Sequence, residues 1–235
     1  MTPRVLVQAL HVHVSLLAAM LSTRLITTAA ASATTQEECV SLPTAGMTVS
    51  QANQHIVVCP GEYIVSLPSN SSAAISVAAS NVTLSMENVR LEPAAARKFE
   101  GWGVRAQSVD GLKLLGGRIA GFRAAVLIEG GTGHSVSNAV LSHNRLRGVT
   151  GTPSDFLSVW PEFDGQLAVD SIGDGVVLIN VSDSTVRNCS MTHQQNGIGC
   201  FGCANVQIVG NNCSNNEGWG YVQPLFAAAL ISGSH

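Results

Sequence analysis

The chain is poor in the residues that most often announce a function. Of its 235 residues, 5% are aromatic, 11% are charged and eight are proline. Twelve Lys and Arg against fifteen Asp and Glu give a formal net charge of −3, without a dense basic run. Phosphate neutralisation needs clustered cations, so nucleic acid is not an expected partner. Scarce charge argues against a disordered, solvating chain, and the lack of heptads against a coiled coil. With so few aromatics, the core has to come from Val, Ile, Leu and Ala. Glycine, by contrast, is abundant at 23 residues, within a 46% hydrophobic composition. The length allows one large domain or two small ones.

Acids are also missing from the N-terminus, where the first are Glu37 and Glu38. Arg4 and Arg24, the apolar stretch from Val5 to Leu21 and the small residues Ala31-Ser32-Ala33 read as a secretory signal over residues 1–33. An uncleaved anchor or an organelle presequence is the alternative. Cleavage after Ala33 would leave 202 residues carrying 10 basic and 15 acidic side chains. Two features agree with export. Five N-x-[ST] sequons at Asn70, Asn81, Asn180, Asn188 and Asn212 are glycan acceptors on a eukaryotic secretory route. Six cysteines, an even number, read as disulfides in a secreted chain. Cys39 and Cys59 would staple an N-terminal cap region over 34–60. The pairing of Cys189, Cys200, Cys203 and Cys213 stays open. Cys200-x-x-Cys203 is one such motif without a second, a poor basis for zinc.

Repetition decides the architecture. Val136-Ser-Asn138-Ala-Val-Leu141-Ser-His143 matches Val186-Arg-Asn188-Cys-Ser-Met191-Thr-His193 at a spacing of 50. Leu114 precedes Val136 by 22, and Ile208 follows Val186 by 22. Each unit has a short alternating strand, then Asn or Gly, then polar residues, then Gly and another strand, as in Gly175 to Ile179, Gly197 to Phe201 and Gly218 to Val222. This is strand-and-turn grammar. So short a unit cannot bury its own apolar face; stacked on copies of itself it makes a continuous core, with Asn ladders at the turns. A β-sandwich would need more hairpin signals than Asp110-Gly111 and Asp174-Gly175. The expected fold is all-β: a right-handed parallel β-helix over 61–235 with three strands per coil and about six to eight coils. A new coil begins near Phe226, and no closing cap is recognisable, so the expectation is a chain that lacks its C-terminal coils or cap, with a tail folded as a small closing element as the alternative.

Asn205-Val-Gln-Ile-Val-Gly-Asn-Asn-Cys-Ser-Asn-Asn-Glu-Gly-Trp-Gly-Tyr221 resembles the parallel β-helix repeat of the pectin-lyase-like superfamily. It is most similar to the broad "right-handed β-helix region" group that includes NosD-like proteins. Gly116-Gly-Arg-Ile-Ala-Gly-Phe122, Cys59-Pro-Gly-Glu-Tyr-Ile64 and Asn81-Val-Thr-Leu-Ser-Met86 resemble earlier coils. The resemblance covers roughly Ile56 to Val222 and implies a fold rather than an activity. The Asn-Thr-Asp, Asp-Asp and Gly-His-Gly of polygalacturonase-like hydrolases are missing. So are the pectate-lyase-like Trp-x-Asp-His and the alginate-epimerase-like Asp-Pro-His-Asp. The five methionines are scattered, which gives the copper handling of NosD-like proteins no Met/His cluster to rest on.

Chemistry is expected in two places. The repeat is interrupted by an insertion over 149–173, where a solenoid commonly builds its binding face. Phe156, Trp160 and Phe163 would offer flat faces to sugar rings, and Asp155 and Glu162 would take hydroxyls or Ca²⁺. Asp164, Asp170 and Asp174 are candidates for glycosidic acid–base work at a suitable separation. The competing reading makes the aromatics a satellite core with solvated acids around it. His143 and His193 occupy the same slot of adjacent coils, one strand spacing (about 4.8 Å) apart, with Asn215 continuing the row. They would act as a general base or help bind a metal; alternatively they form a polar external stack. His55 and His134 have no partner that the sequence identifies. The expectation is a secreted or cell-surface protein that binds polysaccharide and processes it by lyase, hydrolase or epimerase chemistry, with a non-catalytic glycan-binding, adhesion or wall module as the alternative. No transmembrane span is expected in the mature chain.

Overall fold

A computed structural model describes residues 38–69, 71–144, 173–218, 221–222 and 229–234. The signal reading of 1–33 and most of the insertion fall outside them. The described residues are all β apart from one 3-10 turn, Ala95–Arg97. None of their helices is long and apolar enough to cross a membrane.

The strands fall into three sheets, and every pairing is parallel. The first sheet stacks β1 (Met47–Val49), β4 (Ala73–Val77), β7 (Trp102–Gln107), β10 (Ala124–Glu129), β12 (Asp174–Ile179), β14 (Asn196–Phe201) and β16 (Tyr221–Val222) in that order. The second stacks β2 (His55–Val57), β5 (Thr83–Ser85), β8 (Lys113–Leu115), β11 (Ser135–Ser137), β13 (Thr185–Arg187), β15 (Val206–Val209) and β17 (Ala229–Ser232). The third holds β3 (Gly61–Val65), β6 (Val89–Pro93) and β9 (Arg118–Ile119). It continues as single bridges from Arg118 to Val140, Ser190 and Asn212. The chain thus visits the sheets in rotation and returns each time to pair with its own previous pass.

The register follows the repeat. Leu114, Val136, Val186 and Ile208 form one column of the second sheet. Val136 and Val186 pair directly although 50 residues apart, so no hidden coil separates them. The 22-residue period fails at the N-terminal end. Met47 pairs with Ile75 and Thr83 with Lys113, spacings of 28 and 30. The surplus lies in the third side of those coils, where β3 and β6 run five residues each and a 3-10 turn follows, whereas later coils reduce that side to a bridge. The cap region expected over 34–60 contains paired strands. Its Cys39–Cys59 disulfide is present, but β1 and β2 lie inside it and pair with β4 and β5 as part of the first coil.

Alternation explains the core. Ile75, Val104, Val126, Val176 and Ile198 of the first sheet meet Leu84, Leu114, Val136, Val186 and Ile208 of the second in one central cluster, each almost wholly buried. Each such side chain contributes about 1.5–3 kcal/mol by leaving water. Corners need left-handed backbone, which Gly and Asn adopt at least cost. Asn53, Asn81, Asn138, Asn180, Asn188 and Asn205 all have φ between 52° and 59°. Their amides bond along the stack, Asn81 to Asn53 at 3.1 Å and Asn205 to Asp183 at 2.6 Å. These are the ladders that the repeat grammar requires.

Candidate functional site

Two places bring chemistry-bearing side chains together. The first is the outer face of the first sheet. Ile128, Leu178 and Cys200 point into the central core, so their neighbours Leu127, Val177, Ile179 and Phe201 face the other way, where they form a second buried cluster with Trp102 and Ala124. The alternation slips at the strand starts: Ala125 and Val126 both lie in the central core while Ala124 lies in the outer cluster. The same slip carries Asp174 outward, because Gly175 already faces Met191 and Gln194. Asp174 is fully buried. Asn196 Nδ2 donates to its Oδ1 at 2.8 Å, while Oδ2 has no hydrogen-bond partner and lies over Gly199 beside the Phe201 ring. A side chain at 199 would collide with that oxygen. Burial pushes the Asp174 carboxyl up to about 7 against the opposing pull of the Asn196 hydrogen bond. The group is therefore protonated below about pH 7 and ionised above it.

Further along this face lies an open cleft of about 270 Å³ whose polar lining includes Thr48, Ser71, Ser72, Ser76 and Arg105. Thr48, Ser76 and Arg105 are register partners on β1, β4 and β7, so three consecutive coils each contribute one polar side chain. Arg105 is oriented by Glu129, whose Oε2 accepts from its Nε at 2.9 Å and its Nη2 at 2.7 Å. None of these residues stands out in the sequence. The only signal is their shared outward parity on aligned strands, which requires the register of the irregular N-terminal coils.

The second place is the corner before the first sheet. His143 and His193 stack as the spacing predicts, with ring centroids 4.9 Å apart and planes 13° from parallel. Both are exposed, and both hold left-handed backbone, at φ 60° and 59°, as does Asn215 at 57°. His143 N donates to Thr192 O and His193 N to Asn215 O, which keeps the three in one column. A chain of hydroxyls fixes the His193 tautomer. Ser142 Oγ donates to Ser190 O at 2.9 Å, and Thr192 Oγ1 donates to Ser142 Oγ at 3.3 Å. Thr192 Oγ1 must then accept from His193 Nδ1, 3.0 Å away, which leaves the Nε2 lone pair of the neutral ring directed elsewhere. Partial burial, with the nearby His193 and Arg118, lowers the His143 pKa.

The other sequence candidates divide clearly. Asp155, Phe156, Trp160, Glu162, Phe163, Asp164 and Asp170 lie outside the described residues, as does the sequon at Asn70. Asp174 is buried and bonded to Asn196, whereas His143 and His193 are exposed and stack on each other, so the carboxyl and the rings share no hydrogen-bond partner. Asn81, Asn180, Asn188 and Asn212 are exposed. His55 meets Ser85 Oγ at 2.8 Å. His134 is buried, accepts from Leu112 N at Nδ1 and faces Gly130 O at Nε2, a structural bridge between coils whose burial lowers its pKa. The disulfide reading of Cys189, Cys200, Cys203 and Cys213 is corrected: all four are buried thiols filling core positions. Burial pushes Cys189 and Cys213 up to about 11, whereas a hydrogen bond with Cys200 lowers Cys203. Among the described residues no group of three or more His, Cys, Asp or Glu is placed to hold a metal ion. No family model matches the chain, and no curated protein matches it.

Proposed function

We propose that the protein is a secreted or cell-surface, right-handed parallel β-helix of the pectin-lyase-like kind that binds polysaccharide along the outer face of its first sheet. Three parallel sheets visited in rotation support the winding, and parallel crossover connections are right-handed in about 98% of cases. The observation that carries the binding reading is the cleft: four hydroxyl side chains and a guanidinium held by Glu129 line an open hollow on a rigid sheet. Hydroxyls and an oriented guanidinium donate and accept in the pattern sugar hydroxyls need, and a stacked sheet presents them at a regular strand spacing of about 4.8 Å suited to an extended chain.

A second reading, processing of the bound glycan, rests on Asp174, a carboxyl about half protonated near pH 7 with one oxygen without a partner, and requires the outer face to open and uncover this buried group. One experiment addresses both. A panel of neutral and acidic polysaccharides is tested for binding by calorimetry and for turnover by unsaturated products and new reducing ends. The expected result is binding that weakens at least about tenfold in Ser76→Leu, which fills the cleft from a position already facing outward. Absence of binding to every member, or binding that ignores Ser76→Leu, sinks the proposal; binding without turnover removes the second reading.

A further inference from the structure

We infer that His143 and His193 form a two-histidine site for a borderline divalent transition metal such as Ni²⁺, Cu²⁺ or Zn²⁺, at the exposed corner preceding the first sheet. Imidazole nitrogen suits these ions, and two rings on adjacent coils are held in one column by the ladder between Thr192, His143, Asn215 and His193. The hydroxyl chain through Thr192 and Ser142 occupies the inner nitrogen of His193 and leaves its outer nitrogen as the ligand atom. Holding one ring nitrogen by a hydrogen bond while the other meets the ion is how protein metal sites orient histidine.

The geometry needs one adjustment. Two nitrogens on a single ion lie no more than about 4.2 Å apart, given metal–nitrogen bonds of about 2.0–2.1 Å. The ring centroids are 4.9 Å apart and the planes only 13° from parallel, so the in-plane lone pairs do not meet as the rings stand, and His143 must turn out of the stack to bring its nitrogen to an ion held by His193, which its exposure permits. Among the described residues only two protein ligands are placed there, so water or a bound ligand completes the sphere and the ion exchanges readily. This site is independent of the cleft and of the glycan reading.

The test uses the full chain without a polyhistidine tag, titrated with Ni²⁺ by calorimetry, with NMR of the histidine ring protons. His143→Asn, His193→Asn and the double variant are suitable because Asn215 already holds the same left-handed backbone in this column. The double variant sets the background from the other histidines. The expected result is one Ni²⁺ more for the unmodified chain than for the double variant, at least about tenfold weaker binding in either single variant, and broadening confined to the two stacked rings once background is subtracted. Equal uptake and affinity in the unmodified chain and the double variant overturns the inference and leaves the pair a polar stack. A single variant that binds as tightly as the unmodified chain overturns it too, because a shared site needs both rings.

Discussion

Replacing Asp174 by Asn should change how stability responds to pH. In the unfolded chain this carboxyl ionises near 3.8, whereas in the folded protein it does so near 7, because burial disfavours the charge more than the Asn196 hydrogen bond favours it. The folded state therefore holds the proton more tightly. Below about pH 4 the group costs nothing, between about 4 and 7 it costs progressively more, and above 7 it carries its full penalty. At 1.4 kcal/mol per pH unit the penalty is roughly 4 kcal/mol at pH 8 and under about 2 kcal/mol at pH 5. The amide of Asp174→Asn keeps the oxygen that accepts from Asn196 but puts an NH₂ where Oδ2 lacks a partner, at a cost of about 1–3 kcal/mol. That cost does not titrate, so it cancels in a comparison between two pH values. Urea unfolding of both proteins at intervals from pH 5 to 8, with slopes checked for equality, should show the variant gaining about 2.5 kcal/mol on the unmodified chain across the range. It should come out about level near pH 5 and clearly more stable at pH 8. Parallel profiles would refute the placement of Asp174 as a buried, proton-holding group. The second functional reading would lose its acid with it.

Two further outcomes test the coil geometry. Gly131 has φ +84° and its missing side chain would run into the Val109 carbonyl, so Gly131→Ala should cost about 3 kcal/mol or more. Gly133, at φ +71° with open space around it, is the control: Gly133→Ala should cost only about 1–2 kcal/mol, and thermal melts of the two that shift equally contradict the described corner. Removing the Cys39–Cys59 bridge as a double alanine variant frees a loop of 20 residues and should cost about 3 kcal/mol. Faster hydrogen exchange in β1 and β2, with β14 unaffected, is the accompanying signature; uniform loss across all coils contradicts a local staple.

How far the fold was legible follows from what a period can and cannot carry. The column Leu114–Val136–Val186–Ile208 and the stacked histidines were readable because both depend only on a repeat interval, which holds wherever coils have equal length. The cleft residues Thr48, Ser76 and Arg105 were not, because their coils are longer by six to eight residues and no interval aligns them. Asp174 was picked out for its charge, but its burial depends on a slip of alternation at the strand start that the hydrophobic pattern does not record. The cysteines show a different failure. Taken as redox chemistry, their number suggested bridges; taken as side chains, they are small apolar groups in a narrow core. Ile128 pairs with Leu178 and Leu178 with Cys200, so Cys200 fills a slot that aliphatic residues hold in the two preceding coils. The cue was present in Gly197-Ile-Gly-Cys-Phe201, where Cys200 shares the parity of the inward Ile198. In a stacked fold, then, the parity of a cysteine within its strand tells more about its state than the count of cysteines in the chain. Cys189, Cys203 and Cys213 lie outside the strands just as Cys39 and Cys59 do, so for these it is burial in the core that separates the thiols from the more exposed pair that bridges.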